Sequence, residues 1–196
     1  MARAQALHRF EQACGRLRWK AIDLENAYGR ASAPAGWAFA AAEAERNFKV
    51  DFHEFYVWIE QAVVLLLKVF GTTVGAAAAA GRWTAAHAYH HNVLKALDDE
   101  AHPLHPALGR GDARHALWKA KELRNRWKDA ASGQRETPPL RMYDLTWIVS
   151  QAMRGLEAAY EVAAARVRHD LHACRAEPAP VQDEWDWMVE PMDWEA

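Results

Sequence analysis

The amino-terminal segment carries the most regular apolar pattern in the chain, and this pattern restricts the fold to packed helices. Its apolar residues recur at alternating steps of three and four, so they fall on one side of an α-helix. Such a stripe must be covered by another helix, either from the same chain or from a second copy in a homodimer. We expect it to be covered within one bundle. The stripe consists of Leu7, Phe10, Cys14, Leu17, Ala21, Leu24 and Tyr28.

A second helix is predicted from the motif "DFHE" onward. Asp51 can cap its first turn, and Glu54 can return a bond to the backbone amide of the cap. The helix stops at Gly71, and residues 62–67 are apolar on nearly every side. This predicts a position at the centre of the bundle. The Ala-rich segment 38–50 before it fits either a short helix or an irregular connection.

Three more helices are predicted, and Pro- and Gly-rich connections separate them. They run through "AAHAYHHNVLKALDDE", "ARHALWKAKELRNRWKDAA" and the long segment from Leu145 to Leu171. No segment shows the period-two alternation of a half-buried strand. The sequence therefore predicts an all-α fold, with a single bundle of about five principal helices over residues 1–175.

The cysteine content and the lengths of the apolar runs indicate the cellular compartment of such a protein. The two cysteines, Cys14 and Cys174, lie near opposite ends of the chain and fit free thiols better than a disulfide framework. The first twenty residues lack the apolar core of a signal peptide, and the run Ala62–Leu67 is far too short to cross a bilayer. We expect an intracellular protein, cytoplasmic or nuclear, without a membrane association.

Charge is distributed unevenly along the chain. From Glu177 onward there are seven acidic residues and no lysine or arginine, so with a formal net charge of −2 the preceding residues carry +5. This tail, residues 176–196, also contains Trp185, Trp187 and Trp194. Tryptophans set among acids are typical of segments that become ordered on binding. The tail is predicted to bind a protein partner or the bundle's own surface.

One helix pair resembles a known family. The segments "HNVLKALDDE…HPALG" and "ELRNRW" resemble the HEPN superfamily of helical bundles, many members of which are RNA-cleaving toxins or antiviral nucleases. The resemblance covers roughly residues 51–131. It implies a helical bundle in which Arg124 holds phosphate and Asn125 orients it. The favoured alternative is a solvated helix end, where Arg124, Lys121, Arg126 and Lys128 are cations beside the negative end of their helix.

The chain departs from the family's nuclease motif at one position. In that motif an Arg is followed, after four to six residues, by a His, and this chain has Asp129, Ala130 and Ala131 at the corresponding places. A histidine can exchange a proton near neutral pH, whereas an aspartate is normally an anion that repels phosphate. The resemblance therefore favours a bundle over an active nuclease. Without the family's histidine, His115 or His91 are the remaining candidates for proton transfer.

Histidines form a second candidate site. His87 and His91 lie four residues apart on one predicted helix face, a spacing that can hold zinc or another transition metal. A third ligand could come from His90, His102 or His105. The chain has neither a His-Glu-x-x-His motif nor the paired Glu-x-x-His motifs of a di-iron bundle. Surface or helix-packing histidines are the favoured interpretation, and we expect no cofactor.

Motifs of covalent catalysis do not occur. No serine lies in a Gly-x-Ser-x-Gly context, and no glycine loop could cradle a phosphate. The sequence therefore favours a protein without enzymatic activity. Our first expectation is a non-catalytic module for protein association through the tail, the amino-terminal stripe, or both. The alternatives are a HEPN-like RNA-binding or RNA-processing protein and, ranked lower, a histidine-based metal-binding bundle.

Overall fold

The protein is a bundle of antiparallel helices. The computed structural model describes residues 2–74, 91–127 and 138–176. Within these residues five α-helices are present: α1 (Ala2–Ser32), α2 (Ala41–Val69), α3 (residues 91–97), α4 (Gly111–Trp127) and α5 (Leu145–Ala176). Short helical turns lie between them at Pro34–Trp37, His105–Gly109 and Leu140–Met142. None of the described residues forms a β-strand. The predicted all-α bundle is confirmed.

Helices α1 and α2 form the most extensive pair in the bundle. They run antiparallel, since Tyr28 packs on Phe48 while Lys20 reaches Glu54. The apolar stripe of α1 faces inward, with Leu17 fully buried and the flanking Tyr28 half-buried. The stripe is therefore covered within one chain, as expected. A homodimer would need a different surface.

Helix α2 begins ten residues earlier than the sequence predicted. Asp51 and Glu54 lie inside the helix rather than at its start, and Glu54 forms an ion pair with Lys20 at 3.0 Å. The prediction of a capped start at Asp51 was wrong. Ala41 and the residues after it are strong helix formers, so the segment continues the helix once Phe48 is buried against its neighbours. The left-handed backbone of Ala38, with φ of 57°, ends the preceding turn.

The centre of the bundle lies along α2. Ala62, Val63, Leu66 and Leu67 have no exposed surface, which confirms the position predicted from their all-round apolar character. Towards the start of the helix the core becomes aromatic. Phe48 and Phe52 meet Trp127 of α4 edge to face, with ring centroids 6.2 and 5.1 Å away. Edge-to-face rings at such distances pack favourably, and this cluster fixes the carboxyl end of α4 against α2.

Helix α5 closes the bundle against α1 and α4. Arg3 of α1 forms an ion pair with Asp170 at 2.6 Å, and the Tyr160 hydroxyl donates a hydrogen bond to Glu11 at 3.0 Å. These two contacts show that α1 and α5 run antiparallel. On the other side α5 approaches α4 closely at Gly155, which has no side chain to hold the two helices apart.

Within residues 2–74, 91–127 and 138–176, no helix is both long and apolar enough to cross a bilayer.

Candidate anion-binding face of α4

Helix α4 has one apolar side and one charged side. The apolar side, which includes Leu117, Leu123 and Trp127, is buried against α2 and α5. The opposite side borders an open groove of about 670 Å³. We call this surface the α4 face. It is lined by His115, Trp118, Lys119, Lys121, Glu122, Asn125 and Arg126.

Most cations on this surface and at its border form ion pairs with carboxylates. Lys119 and Arg126 both pair with Glu122, at 3.0 and 2.6 Å. Arg114, one turn before Trp118, pairs with Asp98 through two hydrogen bonds of 2.6 and 3.3 Å. Salt bridges as exposed as these contribute little to stability. They do, however, leave these three cations with anionic partners already in place.

Lys121 differs from its neighbours because no described carboxylate lies within ion-pair distance of it. Its ammonium lies 4.5 Å from the centre of the Trp118 ring and donates a 3.4 Å hydrogen bond to Nδ1 of His91. Burial lowers the pKa of Lys121, because removing water disfavours the charged form. The aromatic ring and the imidazole hold the ammonium in place without cancelling its charge.

Arg124 and Asn125 form a pair at the end of the same helix. Arg124 Nη1 donates to Oδ1 of Asn125 at 3.0 Å. The Nε atom of Arg124 is buried and has no hydrogen-bond partner, and among the described residues no carboxylate pairs with this guanidinium. Asn125 lines the groove, whereas the charge of Arg124 also acts on Tyr56 of α2. The pair thus connects the α4 face with the interior beside α2.

The electrostatics beside Tyr56 show that this interior is poorly hydrated. Burial and the charge of Glu60 raise the pKa of the Tyr56 phenol far above its usual range, and Arg124 opposes them. Tyr56 and Glu60 are both buried. An arginine directed towards such a region keeps its charge, since guanidinium cannot be deprotonated in proteins. Anions near it would be stabilised more strongly than in open solvent.

The structure brings part of the predicted phosphate site together with histidines. His115 lies on the same groove as Asn125, and His91 contacts Lys121. Positions 129–131, where the HEPN motif would have its histidine, lie outside the described residues, as do Trp185, Trp187 and Trp194 of the tail. Sequence reasoning treated Lys121 only as a helix-end cation and missed Trp118. Their i, i+3 spacing was the signal that could have paired them.

The proposed metal ligands are only partly within the described residues. His91 is exposed, and His87 and His90 lie outside them. His102 and His105 are engaged elsewhere: Nδ1 of His102 accepts the backbone N–H of Leu104 at 3.1 Å, and Nδ1 of His105 donates to the Leu97 carbonyl at 3.0 Å. Across the described ranges, no group of three His, Cys, Asp or Glu side chains could hold a metal ion.

Comparison with known proteins gave no relative: no family model matches the chain, and neither do any curated protein or solved structure. The resemblance to the HEPN superfamily therefore stays a prediction.

Proposed function

We propose that the protein is a helical RNA-binding protein that holds phosphate groups at Lys121 and Arg124. The observation that carries this proposal is the presence of two half-buried cations, one helical turn apart, with no carboxylate partner among the described residues. Phosphate contacts from Lys and Arg supply most of the affinity in sequence-independent nucleic-acid binding. We choose RNA as the ligand because "ELRNRW" resembles the HEPN superfamily, many members of which cleave RNA.

The energetics favour an anion at this position. A cation withdrawn from water loses hydration, and burial lowers the pKa of Lys121 for this reason. A phosphate oxygen near the ammonium would compensate for the missing water and hold the lysine protonated. Arg124 would add a directed contact, since the planar fork of a guanidinium suits phosphate geometry. Asn125 orients this fork by accepting from Nη1.

Binding without cleavage fits the residues better than nuclease activity does. The chain has Asp129, Ala130 and Ala131 where the family's motif has histidine. His91 accepts a hydrogen bond from the Lys121 ammonium at Nδ1, so this nitrogen carries no proton in that contact. A general acid at neutral pH needs that proton. We therefore propose an RNA-binding protein that lacks the hydrolytic step.

A salt titration of RNA binding tests this proposal. The change is Lys121→Gln or Arg124→Gln in the full chain, with binding to a fluorescein-labelled single-stranded RNA followed by anisotropy. Each substitution should weaken binding and reduce the slope of log K against log salt by about 0.7 for each phosphate that the protein no longer neutralises. The matched control is Lys119→Gln, because this lysine lies on the same helix face but pairs with Glu122.

The Lys119→Gln control distinguishes a specific phosphate site at Lys121 and Arg124 from general attraction of RNA by positive charge. The proposal expects the Lys119 variant to bind RNA nearly as well as the unmodified protein, with all variants showing the same far-UV circular dichroism. Equal weakening in the Lys119, Lys121 and Arg124 variants would mean that net charge alone attracts RNA. Absence of RNA binding by the unmodified protein at low salt would refute the proposal directly. Protein association through the tail stays a separate prediction.

A further inference from the structure

A second group of unneutralised cations lies between α1 and α2. Arg9 and Arg16 of α1 and Lys68 of α2 line a groove of about 630 Å³, together with Gln12, Trp58 and Gln61. We call this surface the α1/α2 groove. Among the described residues no acidic side chain lines it, and no carboxylate pairs with any of the three cations. The guanidinium of Arg16 lies over the ring of half-buried Trp58, 5.9 Å from its centre.

We propose that the part of the acidic tail beyond α5, residues 177–196, docks into the α1/α2 groove of its own chain. Charge complementarity is the first argument. The tail has seven acidic residues and no basic one, whereas the residues that the structure describes around the groove include three cations and no acid. Complementary charge sets the position and orientation of such a contact. The tail lies outside the described residues, so its sequence and its point of attachment carry the argument.

The length of the tail is the second argument. The contacts of Arg3 with Asp170 and of Glu11 with Tyr160 place the α1 segment 9–16 level with roughly residues 154–162 of α5. Along α5, residues 154–162 lie about 20 to 33 Å from the end of the helix at Ala176, because each helical residue adds about 1.5 Å. An extended chain of seven to ten residues spans about 23 to 33 Å. Arg9 and Arg16 lie on the side of α1 away from α5, so the tail must also pass around α1. Its acidic residues continue to Glu195, about 63 Å of extended chain beyond Ala176, which is long enough for both distances.

The groove also offers an apolar contact. The ring of Trp58 is only half-buried, and it lies in the groove between the cations of α1 and Lys68. Trp185 and Trp187 alternate with acidic residues in the sequence "DEWDW". In an extended chain, alternate side chains point to opposite sides. Asp183, Trp185 and Trp187 would then share one side, so the segment could place tryptophans against Trp58 and a carboxylate beside the cations at the same time.

Zero-length carbodiimide cross-linking of the full-length protein tests the docking. The reagent joins an amine to a carboxylate only when the two are in direct contact, so Lys68 should cross-link to Asp183, Glu184 or Asp186 within a monomer. Exposed Lys95 on α3 is the matched control, because it lies outside the groove. Mass spectrometry of the digested monomer should find tail cross-links several-fold more often at Lys68. At about 1 M salt, where screening acts over about 3 Å, they should decrease.

Variants of the groove complete the test. Arg9→Glu combined with Arg16→Glu should abolish the Lys68 cross-links, whereas Arg9→Lys with Arg16→Lys should retain them. Both arginines are exposed, so neither pair of substitutions disturbs the core. Equal cross-linking of Lys68 and Lys95, or cross-links unchanged by charge reversal, would overturn the proposal. Cross-links found only between two chains would overturn docking within one chain and indicate docking on a second copy.

Discussion

The close approach of α4 and α5 at Gly155 leads to a prediction that opposes simple helix propensity. Gly155 lies inside α5, where replacing Gly with Ala ordinarily stabilises a helix by about 1 kcal/mol. A Cβ atom there would lie 2.8 Å from Cβ of Ala113 and 3.0 Å from Cδ2 of Leu108. Carbon atoms pack best at about 3.5 to 4.0 Å. The two helices would therefore have to separate.

The size of the effect follows from these two opposing contributions. Overpacking a well-packed interface costs about 1 to 3 kcal/mol, which exceeds or cancels the benefit in propensity. Gly155→Ala should therefore lower the free energy of unfolding by up to about 2 kcal/mol. Gly15 provides the matched control, since it lies inside α1 and a Cβ there would meet nothing within 4 Å. Gly15→Ala should raise the free energy of unfolding by about 1 kcal/mol.

Urea unfolding followed by far-UV circular dichroism measures both changes. The free energy of unfolding falls by about 1 to 3 kcal/mol for each molar increase in urea. The urea midpoints of the two variants should therefore differ by about 1 M, with the midpoint of the unmodified protein between them. A variant carrying both Gly155→Ala and Ala113→Gly should recover part of the stability if the clash with Ala113 is responsible. The reasoning fails if Gly155→Ala raises the midpoint as much as Gly15→Ala does.

Two further predictions concern the core and the buried histidine. Trp127 is 1% exposed and packs on Phe48 and Phe52, so Trp127→Ala should cost about 3 to 5 kcal/mol of stability; a urea midpoint close to that of the unmodified protein would contradict this packing. His102 is buried, and burial lowers its pKa from 6.5. The unfolded chain therefore binds a proton at His102 more readily than the folded protein does. The stabilisation that comes from burying neutral His102 is complete above about pH 6.5 and is lost as the pH falls through the lower pKa of the folded state. Urea midpoints measured from pH 8 to pH 5 should decrease, and His102→Gln should reduce this dependence; an equal decrease in both proteins would exclude His102 as a cause.

The sequence determined the helical architecture because the relevant information is local. Residues on one side of a helix recur every three or four positions whatever the rest of the chain does. The inward stripe of α1 and the buried centre of α2 at residues 62–67 could therefore be predicted correctly. The start of α2 could not, because the helix-forming segment 41–50 and the capping motif at Asp51 and Glu54 are both locally acceptable. Burial of Phe48 against α1 and α4 decided between them.

Only the tertiary structure decided which charges are free and which are neutralised. The sequence shows Lys119 and Lys121 as equivalent cations of one helix, yet Lys119 pairs with Glu122 while Lys121 contacts His91 of another helix. Arg9 and Lys68 are 59 residues apart and meet in one groove only because α1 and α2 pack antiparallel. Charge in a single sequence segment can be counted, but its neutralisation depends on distances of a few ångströms between helices. Packing sets those distances, and periodicity along one helix contains no information about them.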